Sequence, residues 1–100
     1  MKTILVQYRV KADQAAATIE LIQAVFAQLA SEAPAGLRYA SFTQEDGLSF
    51  VHIAAVDGPA NPLQAVAAFK AFSERIKDRC ELPPQSHELR TVGAYRFFDQ

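Results

Sequence analysis

Apolar and polar side chains alternate from the start of the chain. Ile4, Val6, Tyr8 and Val10 fall on one side of an extended segment over residues 2–10, and Thr3, Leu5, Gln7 and Arg9 fall on the other. A period of two with β-branched residues predicts a strand. The period then lengthens. Ala15, Ile19, Ile22, Phe26 and Leu29 recur at alternating steps of four and three, which predicts one apolar stripe on a helix over about 13–33. Asp13 is placed to cap its first turn, and Pro34 and Gly36 to end it. Residues 37–45 and 48–56 are two strand-like runs around Asp46-Gly47, a pair that favours a tight type I′ hairpin. Asp57-Gly58-Pro59 closes the second run. Asn61-Pro62 offers a cap and a first-turn proline for a second helix, with Val66, Phe69, Ser73, Ile76 and Cys80 inward and Leu63 and Phe72 at its margins. Pro83-Pro84 interrupts the chain, and residues 87–98 read as a last strand.

The element order is β-α-β-β-α-β within one domain, residues 1–100. Two helices on one face of a four-stranded antiparallel sheet make an α+β, ferredoxin-like sandwich with strand order 4-1-3-2. The hairpin fixes which residues share a face. Counting back from the turn, Thr43 meets Phe50, Ser41 meets His52 and Tyr39 meets Ala54. On the other face Phe42 meets Val51, Ala40 meets Ile53 and Arg38 meets Ala55. The second set is mostly apolar and is expected beneath the helices with Ile4, Val6 and Val10. The first set is expected on the open face with Leu5, Gln7, Arg9, Thr91, Tyr95 and Phe97.

An open face carrying Leu5, Tyr39, Phe50, Tyr95 and Phe97 exposes more apolar surface than a monomer usually tolerates. Covering about 400 Å² of it contributes on the order of 10 kcal/mol before the costs of association. Two copies packed sheet to sheet in twofold symmetry satisfy that requirement and leave a lumen lined by the polar members. A homodimer is therefore expected.

Composition narrows the function. Ten Lys+Arg against eleven Asp+Glu leave a net charge of −1, without the clustered cations that nucleic acid or an anionic membrane requires. Cys80 is the one cysteine, and His52 and His87 lie far apart. Neither a disulfide nor a structural metal is expected, and a reducing, cytoplasmic setting follows. The four glycines never cluster as a phosphate-binding loop does.

The chemistry then falls to a few residues. His52, mid-strand on the presumed lumen face, is the candidate base, since an imidazole titrates near operating pH and takes a proton from a phenol. Ser41 is its cross-strand neighbour and is placed to orient it. Tyr39 and Tyr95 offer a hydroxyl or a ring face to a ligand, and Phe50 adds apolar wall. Arg9 is suited to neutralise a carboxylate or phenolate, and Gln7 is a polar lining residue. Each has a purely structural alternative: a hydrogen-bonded histidine in an interface, tyrosines satisfied by one partner, an arginine in a salt bridge. His87, beside Glu88, reads as surface, and Cys80 as a buried thiol.

The element order, Gly36-Leu37-Arg38-Tyr39 opening the second strand, and the strand from Phe50 to Val56 running into Asp57 resemble the antibiotic biosynthesis monooxygenase-like family of the dimeric α/β-barrel superfamily. The resemblance spans nearly the whole chain. It implies a homodimeric barrel around a small hydrophobic, aromatic or polyketide-like molecule, and a cofactor-independent monooxygenase that uses neither metal nor flavin. It equally admits a non-catalytic homodimeric binding or structural protein. Members often carry Trp near the end of the third strand and His early in the second helix. Here those places hold Val56-Asp57 and Ala65-Val66-Ala67-Ala68, which removes the chemical parts of haem degradation.

Overall fold

The computed structural model describes residues 1–97. Strand β1 (Lys2–Val10) leads through a single 3₁₀ turn to helix α1 (Ala15–Glu32), and the hairpin β2 (Leu37–Thr43) and β3 (Ser49–Val56) follows. A 3₁₀ turn over Pro62–Ala65, helix α2 (Ala67–Glu74), the short helix α3 (Ile76–Arg79) and strand β4 (Cys80–Leu89) complete the order. The sheet runs β2-β3-β1-β4, all antiparallel. This is the expected ferredoxin-like arrangement, with the expected strand order read from the other edge.

Local chemistry sets the boundaries. Asp13 lies in the 3₁₀ turn and caps nothing with its side chain; α1 starts at Ala15, and Thr18 Oγ1 donates to the Gln14 carbonyl at 2.8 Å. That bond lets Thr18 be buried, so the inner line of α1 passes through Thr18 and Val25, and Ile19 is turned toward solvent. Ala33 ends the helix in the left-handed region, its amide donating to the Leu29 carbonyl at 2.7 Å. Gly36, at φ +78°, accepts from the Asp57 amide at 2.9 Å. A Cβ there would lie 3.4 Å from the Asp57 carbonyl oxygen, so glycine serves both the backbone angle and the close approach.

The hairpin keeps the expected pairing: Thr43 with Phe50, Ser41 with His52, Tyr39 with Ala54. Its turn differs. Gln44 N–H donates to the Ser49 carbonyl and Gly47 N–H to the Gln44 carbonyl, each at 2.9 Å. Only Gly47 of the pair has positive φ, so this is a longer loop and not a type I′ turn. Asp46 closes it by accepting from the amides of Leu48 and Ser49 and from the Ser49 hydroxyl.

Three further expectations are corrected. The second helix is broken: Arg75 leaves helical geometry (φ −126°, ψ 26°), and the Arg79 guanidinium donates to the Phe72 carbonyl that the break releases. Ser73 is exposed, and the inner residues are Leu63, Val66 and Phe72. The last strand is Cys80–Leu89, not 87–98; Phe98 lies outside the described residues. Pro83-Pro84 does not interrupt the chain but sits inside β4. Proline is tolerated there because β4 is an edge strand and the register slips between Gln7 and Arg9.

The face assignment is also corrected. Val6 pairs with His52 and Ile4 with Ala54, so Ile4, Val6, Tyr8 and Val10 share a face with Tyr39, Ser41, Phe50 and His52. That face packs under the helices, with Tyr8, Val10, Phe50, Ala54, Val25, Leu63 and Phe72 as its buried core. The open face carries Leu5, Gln7 and Arg9 with Ala40, Phe42, Val51 and Ile53. The helix-side phase of β1 was legible; that of the hairpin was inverted.

Candidate functional site

His52 is 4 % exposed. In the strand register it stands in a row across the sheet: Ser41, His52, Val6, Ser86. Its ring is sandwiched by other rings. Tyr8 stacks on it at 5.3 Å and Tyr39 at 5.9 Å between centroids, and Phe72 of α2 tilts over it at 5.4 Å. Phe26 of α1 stacks on Tyr39 at 5.1 Å, and Phe69 meets Tyr39 edge-on at 6.4 Å. The helices therefore supply the aromatic roof, and the sheet supplies the polar floor.

Three hydroxyls saturate the imidazole. Tyr8 Oη is 2.7 Å from Nε2, Ser41 Oγ is 2.6 Å from Nδ1, and Tyr39 Oη is 2.9 Å from Nδ1. A buried polar group costs little only when it is paired, and this pairing is what permits His52 under the helices. Burial drives its pKa from 6.5 down to about 4, so the ring is neutral at ordinary pH. Burial raises the Tyr8 and Tyr39 hydroxyls above the usual tyrosine range, against a lowering contribution from Arg79 at Tyr8 and from the Ser41 hydroxyl at Tyr39.

A neutral imidazole has one N–H, and two arrangements satisfy it. In one, Nδ1–H donates to Ser41 or Tyr39 while Nε2 accepts from Tyr8. In the other, Nε2–H donates to Tyr8, whose own proton turns away from the ring, while Nδ1 accepts from Ser41 or Tyr39. The two differ in which ring nitrogen carries the proton and in the direction each hydroxyl points, and both are uncharged.

Tyr8, Tyr39 and His52 form one wall of a cavity of about 290 Å³ between sheet and helices. Ile4, Val6, Ala54, Leu63, Phe69, Phe72, Ile76 and Pro84 line most of the rest, and Asn61, Ser73 and Ser86 add polar groups. A concave, mostly apolar space with a few convergent polar groups is the usual form of a small-molecule site.

Of the residues singled out in the sequence, the structure brings together His52, Tyr39 and Ser41, with Phe50 stacked behind Tyr8 at 5.5 Å. It does not bring Gln7, Arg9 or Tyr95 to them. Gln7 and Arg9 point to the open face, where Arg9 Nε lies 3.1 Å from Glu81 Oε1, an ion pair without hydrogen-bond geometry. Tyr95 is 79 % exposed under the Arg96 guanidinium. Thr91 and Phe97 line a hollow over Thr3, Arg38, Ile53 and Ala55 on that same open face. Tyr8 was missed as a site residue. Its signal was present: it shares the β1 phase of Val6, the residue that turns out to pair with His52. In the sequence Asn61 reads only as a helix cap. Among the described residues no cluster of His, Cys, Asp and Glu is disposed to hold a metal ion, and no helix is long and apolar enough to cross a membrane.

No family model matches the chain, and no curated protein matches it by sequence. Solved structures do match. A putative antibiotic biosynthesis monooxygenase from Nitrosomonas europaea superposes with a TM-score of 0.74 at 18% identity, over 93% of this chain and 100% of that one. The chain has the fold of the antibiotic biosynthesis monooxygenase-like proteins. A mutant of SnoaB, a cofactor-independent oxygenase from Streptomyces nogalater, matches with a TM-score of 0.68 at 15% identity, over 96% and 97% of the two chains. An uncharacterised NIPSNAP domain protein from Burkholderia xenovorans matches with a TM-score of 0.58 at 22% identity, over 92% and 95%.

Proposed function

We propose that the chain is a cofactor-independent monooxygenase-like oxidoreductase acting on a small aromatic, polyketide-like phenol held between sheet and helices, within a homodimer. The observation that carries this reading is the neutral, buried His52, held between three hydroxyls at the wall of a mostly apolar cavity. A ligand hydroxyl meeting Tyr8 gives its proton to Tyr8 Oη as the Tyr8 proton passes to Nε2. The resulting imidazolium donates to Tyr8 on one side and to Ser41 or Tyr39 on the other, and it faces the ligand anion. An unpaired imidazolium is disfavoured at this site, so the proton moves only when a phenol is bound.

The anion is its own reductant. Its ring carbon forms a C–O bond to dioxygen, and the distal peroxide oxygen recovers the proton from His52. Loss of the ring C–H and cleavage of the O–O bond release water and leave a carbonyl. One oxygen atom enters the product and the other leaves as water. Tyr8 and His52 carry the proton, Ser41 and Tyr39 hold the imidazole from its other nitrogen, and Phe69 and Phe72 face the bound ring. Gln7, Arg9 and Tyr95 have no part in this site.

Naphthalene-1,5-diol is a suitable test compound, since one O₂ converts it to the hydroxynaphthoquinone and water. His52→Phe keeps an aromatic ring in the stack and removes the proton acceptor. Oxygen uptake is expected to fall about 100-fold or more, the usual contribution of a positioned base, with the variant still folded by circular dichroism. Unchanged uptake removes His52 from the reaction. The non-catalytic reading has one observation in its favour: both ring nitrogens are already engaged. Tight binding of the diol without any oxygen uptake would establish it.

A further inference from the structure

The cavity has a second polar pole. Its floor follows β1 from Tyr8 past Val6 to Ile4, roughly 13 Å of strand. The Tyr8–His52 pair occupies one end. At the other, the chain leaves β3 beyond Ala54 and Val56 and reaches Asn61, which lines the cavity with Ile4 and Ala54. Asn61 Oδ1 accepts from the Leu63 amide at 3.0 Å, capping the 3₁₀ turn over Pro62–Ala65. That bond fixes which end of the amide is committed. The NH₂ group has no hydrogen-bond acceptor among the described residues and is left as a double donor.

The two poles have different needs. The Tyr8–His52 pair exchanges protons with a hydroxyl, while the Asn61 NH₂ can only donate, and a carbonyl oxygen meets it as a pure acceptor with no proton of its own left to pair. The remaining hydroxyls on the cavity wall do not duplicate it. Ser73 donates to the Lys70 carbonyl, and Ser86 lies on the β4 edge of the floor, in the row of His52. We propose that Asn61 is the specificity residue of this cavity: its amide donates to a carbonyl oxygen at the far end of a flat ligand whose hydroxyl meets Tyr8 and His52. The ligand class is then an aromatic hydroxy-ketone and not a simple phenol. This rests on the cavity being the ligand site argued above. A site built to bond a substrate oxygen rejects the analogue that lacks it, because the site's own polar group is left unpaired.

A matched pair of ligands tests this. 7-Hydroxy-1-tetralone and 5,6,7,8-tetrahydro-2-naphthol share a skeleton and a phenol and differ in the carbonyl. Binding of each to the full chain is measured by calorimetry for wild type, Asn61→Asp and His52→Phe. Aspartate caps a helical turn as well as asparagine does, so Asn61→Asp keeps the bond to Leu63 and removes the donor. Wild type is expected to prefer the ketone about tenfold, the worth of one hydrogen bond. In Asn61→Asp that ratio is expected to fall to about one, with an unchanged melting temperature as the sign that the cap is intact. A preference that survives in Asn61→Asp overturns the role of Asn61 and leaves the cavity as the ligand site. Binding of neither compound to wild type, or binding indifferent to His52→Phe, overturns the site itself and the inference with it. Should Asn61→Asp melt lower, Asn61→Ser, which also caps, decides the point by the same ratio.

Discussion

A neutral imidazole under two helices is a choice between two costs. Left in water, His52 would titrate near 6.5; buried, it titrates near 4. Between those values the unfolded chain binds a proton that the folded chain refuses. The stability at stake is fully present above the unfolded value and is lost as pH falls from about 6.5 toward 4. The gap corresponds to about 3 kcal/mol. Urea unfolding across that range is expected to show this loss in wild type and a loss smaller by about that amount in His52→Phe. Equal slopes in the two proteins would mean that His52 is not held neutral by the fold. Truncating a partner has a different cost. His52→Phe strands the Tyr8 hydroxyl, whereas Ser41 and Tyr39 remain within reach of one another.

Among the elements, legibility in the sequence followed the strength of the period. Strand β1, helix α1 and the hairpin pairing were readable because each period is carried by several residues. The ends were not. Asp13 has the chemistry of a cap, but Thr18 back-bonding to Gln14 sets the start of α1. Pro83-Pro84 has the chemistry of a break, but an edge strand with a shifted register accommodates both rings. The face of the hairpin was misread for a reason that bears on the site. Counting apolar residues favours Phe42, Val51, Ile53 and Ala55 for the core, because a histidine, a serine and a tyrosine count against the other face. Three-way hydrogen bonding to His52 cancels that penalty. Hydrophobic pattern alone carries no information about whether polar groups satisfy each other. The candidate site was half legible accordingly: His52, Tyr39 and Ser41 follow from pairing in the hairpin, whereas Tyr8 and Asn61 depend on which face meets the helices.

For the whole molecule, the inversion of faces separates two roles that the sequence had merged. The pocket lies inside one chain, between the sheet and the segment from Asn61 to Ile76. The open sheet face, with Leu5, Ala40, Val51, Ile53 and Phe42, the last 47 % exposed, is left for association. A second copy of the chain remains the proposed occupant, now covering a face that contains no part of the His52 site. Sedimentation at micromolar concentration is expected to give about twice 11.0 kDa for wild type. Phe42→Asp, which places a charge in the middle of that face, is expected to give the single-chain mass with ligand binding retained. A wild-type particle of 11.0 kDa contradicts the dimer without touching the cavity.

Everything functional rests on His52 standing neutral between hydroxyls and in reach, through Tyr8, of a bound phenol. Nitrogen-15 spectra of the His52 ring, recorded from pH 5 to 8 with and without 7-hydroxy-1-tetralone, address this directly. The ring is expected to remain neutral throughout when the protein is alone, with one protonated and one bare nitrogen, and to change its nitrogen shifts when the ligand is added. A His52 ring that titrates near 6.5 and ignores the ligand would contradict it.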